Sequence, residues 1–540
     1  MSEPQRPIDA GLVPTLTRQR LLQRAAVLGV APALISVAAA CGGGSGGASA
    51  GGGASATLRV LPNGAPTTFD PARWTVAVDQ WALQCIYEGL VTFKPGTNEV
   101  ANVLAKSFTP SADGLRYDFE LKPGIQFQGG YGEVTAEDVK FSYERIAGIT
   151  DPDFQSPESP DWASLQEVEV TGTYTGTIVL KEYFAPLMNS VLPVSSGYVV
   201  SQKAALERGD KFQTQPIGTG PYELTKYVPG QLATLTKFAE YSKASSDVAP
   251  EPEWKQIDIV LSATQTGDVA LSAGDVQLAT LPLDAVDRMS SGKTAVAEAP
   301  ALDYVWLNMN MLAESLEDIN VRKAIRSAID VPAILQAAFN DKWPRANAAI
   351  APNMPLGNWP DAPVYDRDID QAKAYMADAG VSSLSLTLTV NSADLGAGAI
   401  AEIVQQNLKD IGIDVTVKEE DNSTYFTLGK VMRERELTLV LYTAPPDPVW
   451  VTQWFTTDQF DQWNWMYWSD ERFDALHHDA LLERDNEKRA EMYVEMQKVW
   501  DEAANVAWLA WPTNYFGHVT TVKPSFTPWG WPILWNVRSA

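Results

Sequence analysis

The sequence predicts an α/β protein with more than one lobe, and three observations carry that prediction. The chain has 540 residues, several domains' worth of core at ~150 residues each. Apolar residues make up 45% and charged residues 20%, ordinary globular usage rather than a disordered, collagen-like or coiled-coil composition. Strand-period and helix-period hydrophobic patterns interleave along the chain without a repeat.

Leu58–Leu61 reads as a short strand running into the turn-rich loop Pro62-Asn63-Gly64-Ala65-Pro66. Trp81–Tyr87 is an apolar helical run in which Cys85 is an inert buried thiol. Leu115–Leu121 alternates as a half-buried strand. Thr135-Ala136-Glu137-Asp138 is a capping box that opens a helix through Ile146. Thr177–Leu180 is a strand, and the turn Gly218-Thr219-Gly220-Pro221 leads into another over Tyr222–Tyr227. Val321, Ala324, Ile325 and Ala328 share one helix face. Leu384–Val390 alternates, Ala399–Lys409 is helical, and a last helical region begins near Ser469. In that region Phe473, Leu476 and Ala480 share one face, and Met492, Met496, Val499 and Trp500 another.

The first 56 residues do not read as a domain. Arg18, Arg20 and Arg24 precede an uncharged stretch, Ala25–Ala40, whose reach of ~24 Å as a helix falls short of a bilayer's hydrocarbon core. A basic segment, a short apolar segment and then small residues form an export signal over 1–41. Cys41 directly follows Ala38-Ala39-Ala40, which resembles a bacterial lipoprotein signal and makes Cys41 the lipid-bearing residue. Thr17–Gln23 is also similar to a twin-arginine signal, with Gln19 inside the pair, so the export route stays open. Residues 42–56 are Gly, Ser and Ala, a flexible tether.

Charge and motif searches exclude more than they assign. Lys+Arg 41 against Asp+Glu 67 gives a net charge of −26, the wrong sign for binding nucleic-acid phosphates. Two cysteines cannot build a disulfide scaffold. His477 and His478 are adjacent on a helix and diverge by ~100°, so they read as a solvated pair rather than a metal site. Ser290-Ser291-Gly292-Lys293-Thr294 mimics the end of a phosphate-binding loop, but its required earlier glycine is Asp287. Asp366, Asp368 and Asp370 alternate like calcium ligands, yet Gln371 and Ala377 replace the expected Gly and Glu, leaving a charged turn. No nucleophile elbow, zinc motif or dinucleotide fingerprint is present, so no catalytic residue, metal ligand or cofactor is assigned. A carboxylate pair for glycoside hydrolysis has no sequence spacing to search for, since its geometry is spatial. A surface-anchored glycoside hydrolase is therefore the alternative reading.

Tryptophan stands out. Eleven of the 18 lie between Trp450 and Trp535. Trp450, Trp454, Trp463, Trp465 and Trp468 are interleaved with Gln453, Asp458, Gln462 and Asn464, a mixture suited both to core and to a ligand wall.

Several ordered stretches resemble the peptide/nickel/opine-type extracytoplasmic solute-binding proteins of ABC importers, family 5. They are Tyr87-Glu88-Gly89-Leu90-Val91 through Val100, Ser111–Tyr117 with Phe119, Thr135–Val139 with Phe141-Ser142, and Pro216–Tyr222. Val321–Ile325 with Ala328-Ile329-Asp330, Asp447-Pro448, and Asp485 with Lys488-Arg489 complete the set. The resemblance runs from about residue 57 to the C-terminus. It implies a two-lobed, three-domain periplasmic-binding-protein-like fold with a ligand cleft between lobes. Lobe I would combine 57–88, 214–305 and 510–540, with 89–213 an appended domain, and lobe II would be 306–509.

By the same resemblance the protein captures a small organic solute and passes it, chemically unchanged, to membrane permease subunits. It would act as a monomer held by its lipid on the outer face of the plasma membrane. Dipeptide binders of this family carry an Asp where this chain has Ala444, and an Arg in the loop matching Asn391–Gly398, which here holds no cation. A buried peptide terminus without a counter-charge costs several kcal/mol, which points away from short zwitterionic peptides. A sugar, an opine-like or aromatic solute, or an organic cation suits tryptophan with amides and acids better. The expected ligand wall is Asn63 and Phe69 after the first strand, Trp306 near the crossing between lobes, and Tyr442, Asp447, Trp450, Trp454, Trp463 and Trp465 opposite.

Overall fold

The computed structural model describes residues 57–241, 248, 251–261 and 265–540, so the export segment, Cys41 and the tether lie outside the described residues. Among the described residues, most strands fall into three sheets. A mixed seven-stranded sheet has the order Thr294–Pro300, Thr513–Val519, Leu278–Thr280, Thr57–Leu61, Gln256–Val260, Leu232–Lys237, Tyr222–Val228. A five-stranded sheet has the order Ile413–Glu420, Leu384–Asn391, Leu437–Tyr442, Tyr304–Met309, Val506–Ala510. A four-stranded antiparallel sheet uses only the segment between, Ala105–Pro110, Arg116–Leu121, Thr175–Leu180 and Leu165–Val170. The fold is two-lobed, with strands of one sheet contributed by chain segments hundreds of residues apart.

Local sequence accounts for the elements. The helix Ala136–Ile146 starts where expected: both the backbone N–H and the hydroxyl of Thr135 donate to Asp138 Oδ2, at 3.0 and 2.9 Å. Its Val139, Tyr143 and Ile146 join the core with Leu165, Val168 and Ile178 of the four-stranded sheet. The helix Ile319–Ala328 buries Val321, Ala324, Ile325 and Ala328, the face set by their spacing. The last helical region is two helices, Glu471–Leu482 and Asn486–Glu502, and Asp485 caps the second by accepting from the Glu487 and Lys488 N–H groups. Asp368 likewise caps Ile369–Asp378, and Asp366 pairs with Arg345, which accounts for two of the three alternating aspartates.

The strand Tyr304–Met309 is buried on both faces. Val305, Leu307 and Met309 enter one apolar cluster, beside the helices Ile319–Ala328 and Ala397–Lys409. Tyr304 and Trp306 enter another with Tyr442, Phe455, Trp465, Trp468 and Trp500. The tryptophan-rich segment therefore packs on one face of the five-stranded sheet.

The two large sheets are joined side by side at two crossovers. Pro300 pairs with Thr513 at the edge of the first sheet, and Val305 pairs with Ala510 in the second. Between these pairs the Ala301 N–H donates to the Pro512 carbonyl at 3.0 Å. The residues 301–303 and 511–512 thus form a double linkage between the sheets. The segment after the four-stranded sheet also meets the later part of the chain: Trp450 Nε1 donates to Ser190 Oγ at 2.9 Å and the Ala185 N–H to the Leu481 carbonyl at 3.0 Å. Among the described residues no helix is long and apolar enough to cross a membrane.

Candidate ligand cleft between the sheets

A cavity of about 720 Å³ opens between the two large sheets, beside the crossovers that join them, within the range of small-molecule sites. The first sheet supplies the loop Pro62–Ala65, the segment Thr280–Leu283, and Thr513, Asn514 and Tyr515. The second lobe supplies Leu395, Leu441 and Trp343, and the crossovers supply Asp303 and Pro512. Short side chains in the Pro/Gly loop keep the space open. Gly267 at its edge has to be glycine, because a Cβ there would lie 2.0 Å from the Thr280 carbonyl oxygen.

The polarity of this wall is uneven. Among the described residues Asp303 is its one carboxylate, and no Lys, Arg or His of theirs lines it. Burial pushes the Asp303 carboxyl up to about 7, opposed by the Ala444 N–H that it accepts from. Thr280 Oγ1 is buried there without a hydrogen-bond partner. Trp343 and Tyr515 contribute aromatic surface, held in place by Trp343 Nε1 donating to the Thr513 carbonyl at 2.9 Å and the Tyr515 hydroxyl donating to the Lys342 carbonyl at 2.7 Å.

Of the nine residues expected to form the wall, the structure brings Asn63 to this cavity. Phe69 is packed in the first lobe's core, edge-on to Tyr227 at 4.9 Å between ring centres. Trp306 stacks on Tyr304 at 5.0 Å and meets Tyr442 edge-on at 5.1 Å, one residue behind the cavity-lining Leu441. Trp463 and Trp465 pack around Tyr442, and Trp454 against Trp463. Trp450 bridges to Ser190 and Asp447 is fully buried against Arg489. These aromatics pack mainly on one another because the sheet face beneath them carries Tyr304, Trp306 and Tyr442, which need apolar cover. Asp303, Trp343, Leu441 and Tyr515 were not singled out by sequence. The one signal was Asp303 itself, an isolated acid just before the mostly apolar strand Tyr304–Met309.

Other chemistry-bearing groups lie elsewhere. His478 is exposed, whereas His477 is half-buried: its Nδ1 is 2.9 Å from Thr452 Oγ1, and burial pushes the imidazole down to about 4. Cys85 is fully buried and free, with its thiol pushed far up by burial. Among the described residues no group of His, Cys, Asp and Glu is arranged to hold a metal ion. A recess beside Trp529, Trp531 and Trp535 holds about 70 Å³, too little for an organic solute.

A carboxylate pair away from solvent does exist, Glu158 and Asp161, but it shares the Ser196 hydroxyl near the four-stranded sheet and does not line the cavity. Burial holds both carboxyls above the ordinary carboxylate range, and the neighbouring Asp161 charge raises Glu158 further. The folded state then binds more protons than the unfolded chain, so the stability this pair contributes is present at acid pH and lost as pH rises through the raised values. Asp161→Asn should remove that loss: its melting temperature relative to wild type is expected to rise between about pH 5 and about pH 8. A difference that stays constant across a pH series of thermal melts would contradict the assignment.

The comparisons with known proteins agree with the fold. The model of the bacterial extracellular solute-binding proteins, family 5 (middle region), matches residues 99–464. Di/tripeptide-binding protein 2 of Pseudomonas aeruginosa is 27% identical over 490 residues, covering 84% of this chain and 88% of its own. The structure of HbpA2 from Haemophilus parasuis superposes with a TM-score of 0.79 at 22% identity, over 90% of this chain and 100% of that one. The periplasmic binding protein DppA from Helicobacter pylori, in complex with the peptide STSA, superposes with a TM-score of 0.76 at 23% identity, over 89% and 98%.

Proposed function

Because the chain belongs to the bacterial extracellular solute-binding proteins of family 5, transport binding proteins that serve ABC importers, we propose that it captures a small organic solute in the cavity between its sheets and hands it on unchanged. The observation that carries this reading is the cavity of about 720 Å³, walled by both lobes and touching both crossovers. A solute there contacts each lobe at once, so its binding energy favours the lobes' approach, and the two-strand linkage is where such a motion would pivot. The contacts Trp450–Ser190 and Ala185–Leu481 are then the outer latch of the closed form. Asn63 belongs to the solute wall in this proposal, while Trp306, Tyr442, Trp454, Trp463 and Trp465 back it. Lobe I is 57–88, 214–305 and 510–540 with 89–213 appended, and lobe II is 306–509. The protein acts as a monomer, tethered through lipid on Cys41 outside the plasma membrane, and docks on permease subunits.

The test is a thermal-shift screen of the full chain against peptides, opines, oligosaccharides and amines. Ligand at 100 times its Kd adds ~2.7 kcal/mol to the folded state, a readable shift. Leu441→Trp fills the cavity from the second lobe and should lower affinity for any hit by about tenfold or more, with the solute recovered intact from wild type. A hit converted to product, or one bound equally by Leu441→Trp, would count against this reading.

A further inference from the structure

The cavity's charges are lopsided in a way that selects its ligand. We propose that the solute carries a positively charged nitrogen and no compensating anion within the cavity, and that Asp303 is the group that holds it. This rests on the solute-binding reading above and narrows it to organic ammonium compounds.

Three observations converge. Among the described residues Asp303 is the one charged side chain of the lining, so a carboxylate or phosphate group in the cavity would meet a like charge and no cation from them. The forces acting on its carboxyl are burial and the Ala444 N–H, with no cation among them. A buried acid without a counter-charge is a natural seat for a cation arriving with the ligand. Trp343 and Tyr515 add aromatic surface to the same wall, of the kind an ammonium group and its alkyl substituents favour. Thr280 Oγ1, buried and without a partner, supplies an uncommitted hydroxyl beside them.

Position gives the carboxylate a second role. Asp303 lies in the crossover segment between Pro300, paired in the first sheet, and Tyr304, paired in the second. It reaches across to the Ala444 N–H, in the segment that follows the second-sheet strand Leu437–Tyr442. A cation seated on Asp303 therefore acts at the linkage itself, where a small rotation moves one sheet against the other. The nearby titratable groups are Tyr304, whose phenol is raised by burial and by Asp303, and Tyr515, raised by burial and by Glu298. Both stay neutral below their raised values, so Asp303 is the lining group that changes charge near neutrality.

Isothermal titration of the full chain with choline, phenethylamine, trialanine amide, N-acetyl-trialanine, succinate and maltotriose tests the proposal. The cationic probes should bind, and N-acetyl-trialanine and succinate should not. Choline and phenethylamine outranking trialanine amide identifies a small amine, and the reverse order identifies a peptide amino terminus. Asp303→Asn should weaken the cationic probes by about thirtyfold while its ligand-free melting temperature is no lower than that of wild type, and Asp303→Glu should recover part of the loss. Affinity for choline, whose own charge is fixed, should fall from about pH 8 to about pH 5.5 in wild type and stay flat in Asp303→Asn. Equal affinity in Asp303→Asn, or succinate binding more tightly than choline, overturns the proposal. Binding confined to maltotriose or N-acetyl-trialanine overturns it and leaves the solute-binding reading intact. No binding by any of the six overturns both.

Discussion

Asp447→Ala is expected to destabilise the protein by about 3–5 kcal/mol, among the largest effects of any single substitution in the second lobe. Asp447 and Arg489 are both fully buried, with Arg489 Nη2 at 2.9 Å from Oδ1 and Nη1 at 3.1 Å from Oδ2. Two further donors are committed: Arg489 Nε donates to the Ala480 carbonyl at 2.9 Å and Nη2 to the Tyr493 hydroxyl at 3.2 Å. Asp447 Oδ1 also accepts from the Val449 N–H. This network ties the loop before Val449–Thr452 to both C-terminal helices, Glu471–Leu482 and Asn486–Glu502. Removing the carboxylate leaves a guanidinium in an apolar interior with no counter-charge, and that uncompensated ion, more than the lost attraction, sets the size of the effect. The apolar pair Asp447→Leu with Arg489→Met removes both charges together and should recover much of the loss. Urea unfolding of the three proteins decides it. A loss below about 1 kcal/mol for Asp447→Ala would mean water or another group reaches Arg489.

Trp500→Ala should cost about 3–5 kcal/mol in the same measurement, without weakening solute binding to the folded protein. Trp500 is almost wholly buried at the centre of the aromatic cluster. Its ring lies 4.1 Å from Phe455 and 5.1 Å from Trp508 between centres, and parallel to Trp468 at 6.2 Å. Its Nε1 donates to Asn505 Oδ1 at 3.0 Å, so the truncation also strips a partner from a buried amide. Such a cavity cannot collapse cheaply, because the surrounding rings are rigid and already in contact. The contrast with Leu441→Trp is informative. One variant should lose stability and keep binding, the other should lose binding and keep stability. Both losses falling on one variant would mean that the aromatic cluster and the solute wall are a single structure.

The same contrast shows how far sequence reaches. Period and capping placed the helices Ala136–Ile146, Ile319–Ala328 and Ala397–Lys409 and the strands Thr57–Leu61, Arg116–Leu121 and Leu384–Asn391 to within a few residues, because those signals act over one or two turns of chain. Asp447 was a different case. An Asp-Pro pair before an aromatic run looks the same whether the acid faces a solute or an arginine. The arginine that decides it lies on a later helix, 42 residues along the chain.

Tryptophan was ambiguous for a related reason. A ring suits a core and a ligand wall equally, and the choice depends on what the opposite strand presents. Here it presents Tyr304, Trp306 and Tyr442, which claim the rings as cover.

By itself the sequence determined the α/β class, the order of the elements, the absence of familiar catalytic motifs and the family, all of which are written in short stretches of chain. Tertiary structure alone decided which side chains line the cavity. Asp303 reaches it because Pro300 pairs with Thr513 and Val305 with Ala510, Asn63 because Thr57–Leu61 lies between Gln256–Val260 and Leu278–Thr280. Those pairings join residues hundreds of positions apart, and they are fixed by the collective burial of whole sheets rather than by any local pattern that a single position could carry.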